Sequence, residues 1–145
     1  GGSDLATERG GVTVLSETKG HAGIGLDTAA IVMAGGRGVG GRQGMRQLEQ
    51  LAAKIGAAVG CTRAVAEAGW YDRSAQIGQT SKTVSPKLYL AFGISGALQH
   101  VCGIQGARII VAVNNDPQAP IFGYSNLGVL GDAVEILRAL AAEIQ

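Results

Sequence analysis

The stretch Ala29-Ala30-Ile31-Val32-Met33-Ala34-Gly35-Gly36-Arg37-Gly38-Val39-Gly40-Gly41 decides the fold. Its first half is a continuous apolar run bounded by glycine, the pattern of a strand buried on both faces of a parallel sheet. Its second half is a glycine turn that leads into a helical pattern. Met45, Leu48, Leu51, Ala52 and Ile55 recur at helical spacing, and Gly56 stands where a C-cap is expected. The unit then recurs. Residues 57–60 read as a short strand, followed by Cys61-Thr62-Arg63 and a short helix ending near Gly69. A polar loop spans 72–87, with Gly78-Gln79-Thr80-Ser81-Lys82 at its centre. Residues 88–94 form another strand, broken by Ser95-Gly96 before a helical start at Ala97. Residues 108–113 give a further strand ending at Asn114-Asn115-Asp116-Pro117. A last helix runs from about 131 to 144, with Leu130, Val134, Leu137, Ala141 and Ile144 as its apolar stripe. Asp132 falls in its first turn, where the helix dipole favours a carboxylate.

Strand, turn and helix in repeated alternation define an α/β chain with a doubly wound parallel sheet. Such sheets bind ligands beyond the carboxyl ends of their strands. Here those ends carry Gly-Arg-Gly, Cys-Thr-Arg, Ser-Gly and Asn-Asn-Asp, so the polar residues of interest gather on one edge. The domain is expected over 26–145. A lead-in segment over 4–25 holds one strand candidate, Val12-Thr13-Val14-Leu15. Gly1-Gly2-Ser3 resembles an expression scar, and the abrupt polar start reads as a fragment of a longer protein.

Composition agrees with one domain that has a real core. The chain has 145 residues, 46% hydrophobic and 16% charged, the reverse of a disordered balance. Glycine supplies 24 of them, more than twice the usual ~7%, with no three-residue period that would indicate collagen. Aromatics at 4% argue against an all-β fold. Twelve basic against eleven acidic residues leave a net charge of +1, which gives no basic footprint for nucleic acid. The apolar runs are too short for a transmembrane helix, so membrane insertion is not expected. Cys61 and Cys102 form no CxxC pair, and a reduced cytosolic or organellar chain is expected.

The residues that could carry chemistry are binding groups. Gly36-x-Gly38-x-x-Gly41 matches the dinucleotide fingerprint between a strand and a helix. The acidic residue expected about 20 positions on, to hold a nicotinamide ribose, is replaced by Cys61-Thr62-Arg63. Arg37 and Arg63 at strand ends suit a phosphate, against the plainer reading of exposed surface arginines. Ser95-Gly96 offers a hydroxyl and free N–H groups at a helix start, or is simply an N-cap. His100 lies in the first turns of the next helix, where a packed histidine is the ordinary alternative; His21 carries no role. No HExxH, GxSxG, paired-carboxylate or metal-ligand cluster occurs, so no catalytic and no metal residue is assigned. The pattern is that of a site for a cofactor that brings its own chemistry.

Taken in order, several motifs closely resemble one family. They are Gly35-Gly36-Arg37-Gly38, Ala58-Val59-Gly60-Cys61-Thr62-Arg63-Ala64, Ala68-Gly69-Trp70 and Gln76-Ile77-Gly78-Gln79-Thr80-Ser81-Lys82. Leu88-Tyr89, Gly93-Ile94-Ser95-Gly96-Ala97-Leu98-Gln99-His100 and Asn114-Asn115-Asp116-Pro117-Gln118-Ala119-Pro120-Ile121-Phe122 follow. From about Leu26 to the C-terminus the chain resembles the C-terminal FAD-binding domain of the electron transfer flavoprotein alpha subunit. The resemblance implies a Rossmann-like, FAD/NAD-binding three-layer sandwich and FAD as cofactor. It implies that Arg37 contacts the pyrophosphate region and that Arg63 lies over the isoalloxazine, stabilising negative charge on the reduced ring. Thr80 would stand near flavin N5 with Gln79 beside it, and His100 would donate to the O2 edge. Thr62, Gln76, Gly78, Ser95, Gly96, Gln99, Asn114 and Asp132 would line the rest of the cofactor.

Four positions depart from the family pattern: Thr62 for serine, Ser81 for glycine, Gln43 for glutamate, and Asn126-Leu127 for Asp-Tyr. The resemblance further implies an electron carrier rather than an enzyme. It would pair with an electron transfer flavoprotein beta subunit, accept electrons from flavin dehydrogenases of the acyl-CoA type, and pass them to a quinone reductase or similar acceptor. A bacterial cytoplasmic or mitochondrial matrix location goes with that role. Two rival readings are an FAD-shuttling subunit of a bifurcating or CoA-reductase complex, and a non-redox module for AMP, NAD or CoA.

Overall fold

The structure, a computed structural model, describes residues 25–144. The lead-in strand expected at Val12-Thr13-Val14-Leu15 lies outside the described residues. The described residues form five strands and four α-helices, β1 (Ile31–Gly35), α1 (Arg42–Ile55), β2 (Ala58–Cys61), α2 (Arg63–Glu67), β3 (Leu88–Phe92), α3 (Leu98–Val101), β4 (Ile109–Asn114), β5 (Leu127–Leu130) and α4 (Ala133–Glu143), with a 3-10 turn at Pro120–Tyr124 between β4 and β5. All strands are parallel, in the order β2-β1-β3-β4-β5. The expected α/β three-layer sandwich is therefore the observed one.

The apolar run forms β1 because it sits between two parallel neighbours with both faces covered. Val32, Met33 and Ala34 are fully buried, which a run of alternating polar residues could not tolerate. α1 turns Met45, Leu48, Leu51 and Ala52 inward, and Gly56 ends it in the left-handed conformation at φ 74°, its N–H bonded to Ala52 O. α4 packs against α1.

β1 is flanked by β2 on one side and β3 on the other, so the chain reverses its winding between β1 and β3. That switch point leaves a crevice at the carboxyl ends of the strands. Register sets its rim: Gly35 pairs with both Cys61 and Phe92, and Phe92 with Val113. The residues that follow each strand therefore emerge at one level.

Three details differ from the sequence expectations. β5 is an edge strand that hydrophobic patterning does not announce. Asn126 pins its start by donating from its N to Ile110 O at 2.8 Å and accepting from Ile110 N at its Oδ1 at 2.7 Å. Leu130 consequently ends β5 and is exposed rather than part of the helical stripe, and α4 buries Ala133 and Leu137 instead. Asp132 precedes the first turn as the N-cap, its carboxylate accepting from Glu135 N at 3.0 Å. The 72–87 segment is also more ordered than a plain loop. A 3-10 turn covers Arg73–Ala75, and bridges join Cys61 to Gln76 and Ile77 to Lys82.

Candidate functional site

A cavity of about 710 Å³ opens at the strand ends. Twelve of the thirteen residues expected from the sequence line it: Arg37, Thr62, Arg63, Gln76, Gly78, Gln79, Thr80, Ser95, Gly96, Gln99, His100 and Asn114. Asp132 does not. It stands just past the Asn114 end of the cavity, where Gly131 N bonds Asn114 O at 3.0 Å.

The glycines of the fingerprint serve a purpose other than the one their spacing suggests. A Cβ on Gly36 would lie 2.5 Å from Gly93 O, and one on Gly38 would lie 2.5 Å from Gly93 Cα. Gly36 N donates to Phe92 O and Gly38 N to Gly93 O, each at 2.9 Å. These glycines let the β1 and β3 loops touch and so build the crevice. The match therefore arises from loop packing within the protein. α1, the helix that a dinucleotide fingerprint would open, starts at Arg42 beyond a 3-10 turn at Arg37–Val39, and Gly40 and Gly41 face open space.

The side chains divide into an exposed rim and a buried floor. Arg37 is exposed within the 3-10 turn that follows β1. Arg63 is 71% exposed and donates from Nε to Glu67 Oε2 at 2.7 Å, which orients the guanidinium through one nitrogen and leaves its terminal NH2 groups for the cavity. Thr62 caps α2, its hydroxyl oxygen accepting from Val65 N at 3.4 Å, so the serine it replaces would lose nothing in chemistry. Ser95 is not a helix cap: Ala97 holds that position, and Ser95 stays exposed at the cavity while its carbonyl receives Ile121 N at 2.8 Å. Gln79 is held through its backbone, N to Gln99 O at 2.7 Å, which leaves its side chain exposed at the rim with that of Thr80.

His100 sits in the floor, 5% exposed, and among the described residues it is the buried polar side chain. Nδ1 stands 3.1 Å from Ile77 O and Nε2 2.5 Å from the Tyr89 hydroxyl. A carbonyl can only accept, so Nδ1 carries the proton and Tyr89 donates to Nε2. Burial, partly opposed by the Ile77 bond, brings the imidazole down to about 4, so it is neutral at pH 7. Both nitrogens are thus spent inside the protein. Donation from His100 to a flavin O2 edge, as the resemblance implies, would need one that this arrangement occupies.

Sequence reasoning passed over part of the lining. Ser81, Ile94 and Pro120 contribute without having been assigned; Asn115 and Asp116, noted at the end of a strand but given no role, line it as well. The departure at Asn126-Leu127 falls on the β5 edge, away from the cavity lining. Among the described residues no group of three His, Cys, Asp or Glu could hold a metal ion, and no helix is long and apolar enough to cross a membrane.

The donor set can be tested against a dinucleotide. Two guanidinium groups, the Thr80 and Ser95 hydroxyls and the Gln79 and Gln99 amides oppose one carboxylate, Asp116, which already accepts from Gln118 N at 2.9 Å. Ala64, Ile77 and Ile94 add apolar wall. Donors with flat apolar surface suit a ligand that has phosphates and a heteroaromatic ring.

Fold and site together define a nucleotide-cofactor-binding domain of the doubly wound α/β class. The family model described as the electron transfer flavoprotein FAD-binding domain matches residues 25–105, and the chain belongs to that family. It is 45% identical over 122 residues to the electron transfer flavoprotein subunit alpha of Thermoanaerobacterium thermosaccharolyticum, covering 84% of this chain and 37% of the relative. It is 50% identical over 117 residues to protein FixB of Bradyrhizobium diazoefficiens, covering 81% and 32%. It is 47% identical over 119 residues to the mitochondrial electron transfer flavoprotein subunit alpha of Oryza sativa subsp. indica, covering 82% and 33%. The chain therefore spans about a third of the length of the curated relatives it matches.

Proposed function

We propose that this domain holds FAD and works as the flavin-carrying unit of an electron carrier. Electrons would arrive from flavin dehydrogenases of the acyl-CoA type and leave for a quinone reductase or similar acceptor. A beta subunit would complete the assembly, in a bacterial cytoplasm or a mitochondrial matrix. The observation that carries this reading is the convergence of two arginines, two hydroxyls and a row of amides on one cavity at the topological switch point. Family membership supports it independently.

When bound, the flavin supplies the redox chemistry, and no side chain makes or breaks a substrate bond. The chain's own residues bind, orient and tune. Arg37 and the backbone N–H groups of the strand-end loops would take the pyrophosphate, because a fixed cation and oriented N–H groups match its charge. Arg63, Gln79 and Thr80 would face the ring. Ser95, Gln99 and Asn114 would run toward the adenosine, and Asp132 would be reached by a ligand that extends past Asn114. His100, neutral and doubly bonded, would hold the floor rather than donate to the ligand.

The test is an absorption spectrum of the purified protein before and after incubation with FAD and desalting. A retained two-band flavin spectrum is the expected result. A bound nucleotide without flavin colour, in the presence of the beta subunit, would replace this reading with the non-redox module. Arg63→Ala tests the tuning role. Because Arg63 is exposed and bonded only to its own helix, the variant should fold normally. The reduction potential of the bound flavin should move to more negative values, since a cation facing the reduced ring is lost. An unchanged potential in a redox titration would remove Arg63 from that role.

A further inference from the structure

The strongest feature outside the cavity rim is a buried polar chain beneath it. Tyr89 belongs to β3 and is fully buried, yet it carries a hydroxyl where the strand pattern asks only for an apolar side chain. That hydroxyl donates to His100 Nε2, and His100 Nδ1 donates to Ile77 O. Ile77 begins the turn that bears Gln79 and Thr80. The turn closes on itself through Gly78 N to Lys82 O at 3.0 Å and Lys82 N to Gln76 O at 3.1 Å. It rests on α3 through Gln79 N to Gln99 O at 2.7 Å, with Gly103 so close that a Cβ there would meet Gly78 N at 2.7 Å.

We propose that Tyr89 is a positioning residue. By fixing the ring orientation and proton of His100 it anchors the 76–82 turn to β3, and so holds Gln79 and Thr80 at the cavity. The turn is otherwise tied to β2, through Ile77 N to Cys61 O at 2.9 Å and the buried Ile77 side chain against Gly60, whereas the histidine bond is the side-chain hydrogen bond that links α3 to β3. A hydroxyl buried without a partner is costly, so a tyrosine whose hydroxyl has one partner, the histidine, ties the two positions together. Phenylalanine would fill the same core volume without supplying the donor. The inference extends the proposed cofactor site but does not depend on the identity of the cofactor.

The test is hydrogen exchange, read by mass spectrometry without flavin, on the complete native protein carrying Tyr89→Phe. Amides of the 76–82 turn should exchange about tenfold faster, while peptides from α1 and β4 keep their protection. His100→Gln breaks the chain at its middle link and should loosen the same turn. A turn that stays protected in both variants, or loosening spread evenly over the domain, would overturn the proposal. With FAD present, Tyr89→Phe should also raise the Kd about tenfold; failure of the unaltered protein to bind FAD would count against the cofactor reading alone.

Discussion

Replacing Gly93 with alanine should lower stability by about 2–5 kcal/mol, where Gly40→Ala costs only about 1–2 kcal/mol. Both glycines are left-handed, at φ 68° and φ 83°, so both substitutions carry the same backbone strain. They differ in what a Cβ meets. At Gly40 there is nothing within 4 Å, whereas at Gly93 the new carbon would lie 2.5 Å from Gly38 Cα and 2.7 Å from Gly38 C. Those are backbone atoms of the opposing loop and cannot swing aside as a flexible side chain would. The two loops must therefore part, and because Gly38 and Gly93 both line the cavity, the variant should weaken cofactor binding as well. Denaturant unfolding of the two variants in parallel checks the difference. Equal losses would mean that the loops yield easily and that the close contact is not what shapes the crevice.

The second large effect is a dependence of stability on pH that comes from His100. Its folded value is lowered from 6.5 to about 4, chiefly by burial. Above about pH 6.5 the imidazole is neutral in both states and the stability is fully present. As pH falls below that value the unfolded chain takes up a proton that the folded one refuses, so stability declines. The decline continues until the folded value near 4 is reached and amounts to roughly 3 kcal/mol in all. Below that point both states are protonated and the group contributes no further loss. Denaturant titrations at about pH 7, 5.5 and 4.5 measure the slope, and His100→Gln, which cannot titrate, supplies the comparison. Surface carboxylates such as Glu67, held low by its hydrogen bond to Arg63, act alike in both proteins and cancel. A slope unchanged by His100→Gln would show that the buried imidazole is not the titrating group.

The two effects share a cause in how the crevice is built. Glycine loops bring β1 and β3 together from above, and the Tyr89–His100–Ile77 chain holds the neighbouring turn from below. The rim groups that would face a cofactor are, by contrast, exposed and held through backbone or by one local bond, as with Arg63 and Glu67. Loss of a rim group should therefore change the cofactor's properties while leaving the fold intact, and loss of a floor group should loosen the local structure and weaken binding through it.

Much of this was legible in the chain itself. The apolar run at 29–34 pointed to a doubly covered strand, because no alternate position offers a polar side chain to solvent, and its 31–34 part lies in β1. The recurrence of strand, turn and helix required parallel pairing, and the rule that ligands sit at strand carboxyl ends led to twelve residues that line the cavity. Local sequence was sufficient there because burial period and turn residues act over a few positions. Tertiary contact alone decided the rest. The fingerprint glycines look alike in sequence, yet Gly36 and Gly38 face the β3 loop and Gly41 faces open space. β5 exists because Asn126 bonds to Ile110, sixteen residues away, and its short glycine-containing run has no periodicity of its own. Tyr89 reads as an ordinary core residue, and His100 as a possible donor, until the fold places them side by side. A hydrogen bond between distant residues leaves no trace in the spacing of either, so what each polar atom is free to do is set by packing and not by pattern.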